Sequence, residues 1–241
     1  MGLSLFWRKD MITINKPSKD IQLKSPLPNN IMVSGEAMAG KTTFVGDFPT
    51  PFFLSFDGNA IKEGRDGVDL HDSMSWREVI DVIPQIKSAG YQTIVIDTIE
   101  DLLDGIEKEI TNGGTIADMS NSFTGWSNLN GHFKKIILEV VKSDLTAVFI
   151  ARTTTDADGE IQSDARAKNF SWLKGRIDGE IYIIKDGHKP EWRAHRGYWK
   201  KEELPPHLAN VADPEREGQE RKAAALARRE ALLNKKTGDK N

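Results

Sequence analysis

The sequence predicts an α/β domain with a mostly parallel sheet, followed by a C-terminal β-hairpin and a terminal helix. Three observations carry that prediction. From Asn30 onward, short apolar runs alternate with helical stretches, the pattern of strands joined by crossover helices. A glycine-containing loop, Gly35-Glu36-Ala37-Met38-Ala39-Gly40-Lys41-Thr42, falls between one apolar run and a helix-compatible stretch. Another run, Thr93-Ile94-Val95-Ile96-Asp97, delivers a carboxylate where a parallel strand would end.

The elements follow in order. Ile31-Met32-Val33 reads as a short buried strand, and Pro51–Phe56 as a second, ended by Asp57-Gly58-Asn59. Ser75-Trp76-Arg77-Glu78 has capping-box spacing and opens a helix through Lys87, closed by Gly90. Pro84 inside it should kink that helix or end it early. Tyr91–Ile96 is the clearest strand, with Asp97 at its tip, and a helix from Glu100 to Ile110 leads to Asn112-Gly113-Gly114. Leu129, Phe133, Ile136, Ile137 and Val140 give residues 126–142 helical periodicity, and Leu145–Ala151 is another buried strand. Residues 152–168 are polar and aperiodic, which predicts a long mobile loop. Glu180–Lys185 and Glu191–Arg196 flank Asp186-Gly187 as a hairpin, and residues 215–236 predict an exposed helix. The expected organisation is an N-terminal extension (1–29), a nucleotide-binding domain (30–200) and a charged, helical C-terminal extension (201–241).

Composition narrows the classes. With 241 residues, the chain suits one α/β domain plus extensions. Its longest apolar runs fall well short of the roughly 18 residues that span a bilayer, so no membrane partner is expected. The apolar patch Leu3, Leu5, Phe6 and Trp7 precedes Arg8 and Lys9, the reverse of a secretory signal, and a cytoplasmic location is expected. The absence of cysteine excludes disulfides, thiolate metal sites and cysteine nucleophiles. A net charge of −3 means that nucleic-acid binding would need a local basic surface.

The loop Gly35–Thr42 fits G-x-x-x-x-G-K-[ST], a pattern that composition alone produces about once in 100 chains of this length; the strand before it and helix after it decide the reading. The glycines let backbone N–H groups of residues 35–43 turn toward phosphate oxygens. Lys41 can reach the β- and γ-phosphates, and the Thr42 hydroxyl can ligate Mg²⁺. Glu36, Ala37, Met38, Ala39, Gly40 and Thr43 complete the expected nucleotide contacts. Asp97, at the tip of an apolar strand, supplies the carboxylate of the metal shell. The expected ligands are therefore ATP and Mg²⁺. For activating water there are two candidates: Asp57, after the second strand, and Glu100, three residues beyond Asp97. Asp57 is preferred, although Asp57-Gly58 also reads as a turn and Glu100 as a helix-start acid.

With these pieces in place, residues 30–200 resemble the phage-encoded RecA-like ATPases associated with single-strand-annealing recombination. The features that carry the resemblance are Gly35–Thr43 followed by Phe48-Pro49, the strand Phe53–Gly58, Tyr91–Asp97, Trp126 at a helix start and the strand Ala147–Ala151. It implies a RecA-like core, ATP hydrolysis in DNA recombination or replication, single-stranded DNA as a partner, bound directly or through another protein, and a homo-oligomer. That family usually has an acid, often Glu, where Asp57 stands, and commonly a His where this chain has Arg152.

Residues 165–200 interleave cations with aromatic rings, the composition of surfaces that hold single strands by phosphate contact and base stacking. Arg166, Lys168, Trp172 and Lys174 are the candidate nucleic-acid contacts; the alternative is that the rings pack the hairpin and the cations are solvated. His188 and His195 are read as surface or hairpin residues. Two other classes share the loop: a small-molecule kinase, which lacks its usual Arg-rich lid here unless 152–168 serves, and a non-catalytic ATP-binding scaffold.

Overall fold

The computed structural model describes residues 27–71, 75–155, 161–163, 166–185, 187–197 and 199–238. Most of the N-terminal extension, the centre of the polar segment after residue 155, Asp186, Tyr198 and the last three residues lie outside the described residues.

The chain alternates strand and helix as its apolar runs require: β1 (Asn30–Gly35), α1 (Lys41–Gly46), β2 (Pro51–Ser55), α2 (Asn59–Lys62), β3 (Gly67–Asp69), α3 (Trp76–Ser88), β4 (Thr93–Asp97), α4 (Ile99–Thr111), α5 (Ser122–Val141) and β5 (Thr146–Thr155). Then come β6 (Ile161–Ser163), α6 (Ala167–Lys174), β7 (Gly179–Tyr182), β8 (Glu191–His195) and α7 (Pro214–Gly238). Seven strands lie in the order β3-β2-β4-β5-β1-β7-β8, and β6 pairs with β5 outside that path. All neighbours are parallel except the two hairpins, β7–β8 and β5–β6. The expected class and mostly parallel sheet are thus present.

Alternation along the strands builds two cores. Met32, Leu54, Ile94, Ile96 and Phe149 point to one face, where α3, α4, α5 and α6 cover them with Ile83, Leu102, Phe133, Ile137 and Leu173. Ile31, Val33, Phe53, Val95, Val148 and Ile150 point to the other, under α1 and the segment 199–211. Both faces being buried explains why these strands read as near-continuous apolar runs. Among the described residues, no helix is long and apolar enough to cross a membrane.

Several expectations need correcting. Helix α3 continues past Pro84 to Ser88, so the proline, whose missing N–H forfeits one helical bond, does not end it early. The predicted mobile loop 152–168 is in part a hairpin: β5 continues to Thr155, Thr153 pairs with Ser163, and α6 starts at Ala167. The boundary expected at residue 200 also moves. Trp199, Leu204, Leu208 and Val211 are buried in the same core as β1 and α1, and Trp192 N–H donates to the Ala212 carbonyl at 2.9 Å. Past that segment, α7 is exposed from Gln219 through Arg228.

Candidate nucleotide site

Parallel pairing brings the C-terminal ends of β1, β2, β4 and β5 to one edge. Ser55 is in register with Asp97, Asp97 with Ile150, and Gly35 with Arg152. The loop between β1 and α1 rises from that edge. Gly40 sits there at φ +91°, a conformation that a side chain would strain, whereas space at its Cβ position is open. Gly35 is extended and is glycine for another reason: a Cβ would lie 2.6 Å from the Ile183 carbonyl oxygen beside it. Met38, at φ 61° and 95% exposed, crowns the loop.

Lys41 and Thr42 open α1 and turn back into the site. The buried Lys41 ammonium donates to the carbonyl oxygens of Gly35 (2.9 Å) and Glu36 (2.7 Å), so the cation lies along the inner curve of the loop. The Thr42 hydroxyl donates to Asp97 Oδ2 at 3.1 Å, joining two groups 55 residues apart. Burial first, and then the nearby Asp57 carboxylate, push Asp97 up to about 7, against the Thr42 hydrogen bond and Lys41. A desolvated carboxylate, a second carboxylate nearby and a hydroxyl form a hard-oxygen set that suits Mg²⁺.

Asp57 follows β2. Its Oδ1 accepts from the Asn59 backbone N–H (2.9 Å) and the Ser55 hydroxyl (3.2 Å), and its Oδ2 from the Asn59 side-chain amide (2.8 Å). It is therefore both the turn residue and a wall of the site. A cleft of about 530 Å³ is enclosed by residues 37–43, Asp57, Asn59, Lys62, Glu63, Asp97, Thr98 and Arg152. Every loop residue from Ala37 to Thr43 lines it; Gly35 and Glu36 do not, and take part through the carbonyls that accept from Lys41.

Glu100, the other candidate for activating water, does not line this cleft. It is buried on the first turn of α4, and its Oε1 accepts from the Arg152 backbone N–H at 3.0 Å. Burial raises its pKa, while Arg152 acts in the opposite direction. Asp101 is clamped from both sides: Oδ2 accepts from the Thr98 hydroxyl at 2.5 Å, and Oδ1 from Arg152 Nη2 at 3.0 Å. Asn59, Lys62, Glu63 and Asp101 were not among the sequence candidates. Asn59 and Asp101 each lie within three residues of one, on the same turn, which is the only local signal they give.

The basic–aromatic residues are elsewhere. Arg166 pairs with Glu107 and stacks 4.7 Å from the Trp126 ring. Trp172 packs against the core beside Phe133, with Lys134 and Arg176 over its ring at 5.5 and 3.4 Å. Lys174 pairs with the buried Glu180 at 3.0 Å, and Lys168 is exposed. His195 lies between Asp213 (3.3 Å) and the Gly197 carbonyl (2.7 Å), inside the hairpin as expected.

Residues 27–183 match the family described as AAA domain. No curated protein matches the chain. Similar solved structures include a KaiC-like protein of the hyperthermophilic archaeon Pyrococcus horikoshii, 13% identical at a TM-score of 0.43 over 71% of this chain and 81% of that one. An ATPase of the type III secretion system of pathogenic bacteria is 11% identical at 0.42, covering 66% of this chain and 52% of that one. RadB recombinase is 14% identical at 0.40, covering 70% and 83%.

Proposed function

Because the chain belongs to the AAA domain family and carries the Gly35–Thr42 loop between a strand and a helix of a mostly parallel sheet, we propose that it is a RecA-like P-loop ATPase, that it hydrolyses ATP with Mg²⁺ and that Asp57 activates the attacking water. The observation that carries this reading is the 3.1 Å contact between Thr42 and Asp97, with Asp57 on the same cleft wall. Thr42 and Asp97 would hold Mg²⁺, which when bound supplies neutralising charge for the β- and γ-phosphates. Backbone N–H groups of the loop and the Lys41 ammonium bind and orient the phosphate chain. A water oxygen then bonds to the γ-phosphorus as the bond to the β–γ bridging oxygen breaks, and ADP leaves with that electron pair. The water's proton passes to the Asp57 carboxylate and on to solvent. The bonds from Ser55 and Asn59 keep that carboxylate aimed.

We propose further that this turnover serves DNA recombination or replication, with single-stranded DNA as partner and a homo-oligomer as the working form. Supporting this are the resemblance noted above and the exposed cations Lys168, Lys174, Lys185, Lys189 and Arg193. Phosphate release measured with MgATP, with EDTA and with added single-stranded DNA tests both parts. Turnover that is lost in EDTA and stimulated by DNA is expected. ADP formed only with a small-molecule acceptor, the phosphoryl group ending on that acceptor and not as free phosphate, would instead make the protein a kinase, and binding without turnover a scaffold. Asp57→Asn should bind ATP near normally and lose kcat by about 10²-fold; full activity would move the base elsewhere.

A further inference from the structure

β5 stands between the loop strand β1 and the Asp97 strand β4, and the residue it presents at the level of the loop is an arginine. Arg152 is in register with Gly35, where the loop begins, and lines the same cleft as Lys41, Thr42 and Asp57. Two acids on the first turn of α4 hold its side chain. Asp101 Oδ1 accepts from Nη2 at 3.0 Å, and Glu100 Oε2 lies 3.9 Å from Nε. Glu100 also fixes the backbone, accepting from the Arg152 N–H. Asp101 is itself held by Thr98, the residue after Asp97. The guanidinium is thus tied to the start of the helix that follows Asp97, yet its side chain remains 34% exposed at the cleft.

A planar guanidinium carries five N–H donors, so one edge can hold a carboxylate while another meets a phosphoryl oxygen. The transferring phosphoryl group spreads negative charge over three oxygens, and an arginine that meets it, from the same chain or a neighbour, accelerates such reactions by about 10³–10⁵-fold. We propose that Arg152 is that arginine and that it acts within its own chain, on the γ-phosphate held by its own Gly35–Thr42 loop, with Asp101 and Glu100 as positioning residues. This rests on the proposal that ATP is hydrolysed in this cleft. Its consequence is that each chain carries a complete catalytic set, so assembly is not needed to supply the arginine.

The test combines turnover with binding of a transition-state mimic. Arg152→Gln should lower kcat by at least 10²-fold with the ATP KM changed less than about threefold, because the contact forms mainly in the transition state. Arg152→Lys should fall between, keeping the charge and losing the fork. Asp101→Asn should also lower kcat by a smaller factor while leaving the Lys41-dependent affinity for ADP intact. Trapping of a fluorescent ADP with Mg²⁺ and aluminium fluoride should weaken more than about tenfold in Arg152→Gln, with MgADP affinity alone unchanged. Mixing Arg152→Gln chains with Lys41→Ala chains, each defective in a different group, separates the two origins of the arginine. A mixture no more active than its components is expected; activity regained on mixing would show that the arginine comes from a neighbour and overturn the proposal. Equal loss of MgADP binding and turnover would make Arg152 a support for the loop only, which also overturns it. If Arg152→Gln does not fold, the same readouts on Arg152→Lys decide. If the wild type shows no Mg²⁺-dependent turnover, the hydrolytic reading fails, and trapping still reports on Arg152 separately.

Discussion

Cutting the chain after Lys200 should unfold it, although by composition that point looks like the start of a charged tail. The cut removes Leu204, Leu208 and Val211, which are 7%, 0% and 4% exposed and pack against the β1, α1 and β8 core. At about 1.5–3 kcal/mol for each fully buried aliphatic side chain, their loss amounts to roughly 5–9 kcal/mol. It also deletes the Ala212 partner of both Trp192 N–H and the Pro190 carbonyl, and Asp213, which faces His195. Each lost hydrogen bond adds about 1 kcal/mol. Total folding stability is typically about 5–15 kcal/mol, so little or nothing remains. A cut after Glu220 keeps all of these contacts and removes only exposed or undescribed residues of α7 and the tail. It should cost about 1 kcal/mol or less. Urea and thermal unfolding followed by circular dichroism on the two truncations and the full chain make the comparison. A 1–200 fragment that melts cooperatively within about 5 °C of the full chain would refute the reasoning, since segment 201–213 would then be an attachment and not a layer of the core.

Other expectations can be checked alongside. Lys41→Ala should abolish ATP turnover in a folded protein, because Lys41 is the cation held along the inner curve of the phosphate loop; phosphate release near the wild-type rate would remove the basis of the assigned site. His207 packs against Phe48 with ring centroids 4.3 Å apart and the planes tilted, and burial lowers its pKa below 6.5. The folded state therefore binds that proton less readily than the unfolded chain, so the contribution is complete above about pH 6.5 and is lost as pH falls toward the folded value. The melting temperature of the wild type should drop more between pH 7 and pH 5.5 than that of His207→Gln, and equal drops would refute the assignment. If single-stranded DNA binds, Lys168→Ala should flatten the slope of log K against log salt by about one unit per lost phosphate contact. Trp172→Ala should lower thermal stability, because its ring packs beside Phe133 and under Arg176; weaker DNA binding with unchanged melting would assign that ring to base stacking.

What was legible in the sequence was whatever a local pattern encodes. The phosphate loop is one short run of residues, Asp97 ends an apolar strand, and Ser75 and Glu78 form the capping box that their spacing announced. Burial on both faces made β1, β4 and β5 plain. Signals that depend on partners far along the chain were not legible. Thr153, Thr154 and Thr155 are β-branched and continue β5 into a hairpin with β6, but past the core no apolar alternation marks them as strand. Helix α6 is two turns long, and Asn169 and Ser171 dilute its pattern around Leu173. Leu204 stands before Pro205 and Pro206, and Leu208 and Val211 between them and a charged helix, so average composition hid a core segment. Nothing in the sequence ties Arg152 to Glu100 and Asp101, because that pairing exists only once β5 lies beside β4.

Asp57 shows why a structural role and the functional one proposed for the same residue need not compete. From sequence, the carboxylate before Gly58 was either a turn residue or a water-activating group. In the fold, Oδ1 closes an Asx-type turn onto the Asn59 N–H, and Gly58 takes φ +72° to let α2 begin there. A Cβ on Gly58 would come within 3.0 Å of the Asp69 carboxylate, so the turn is fixed from the β3 side as well. That rigidity is what sets Asp57 against Asp97, close enough for its charge to raise the Asp97 pKa. A carboxylate on a loose loop would swing toward solvent to escape that repulsion. The turn holds it in place, and the cost of two facing carboxylates is what a cation between them and the phosphates would relieve. The residue types that make the turn therefore also line the cleft where the proposed chemistry would occur.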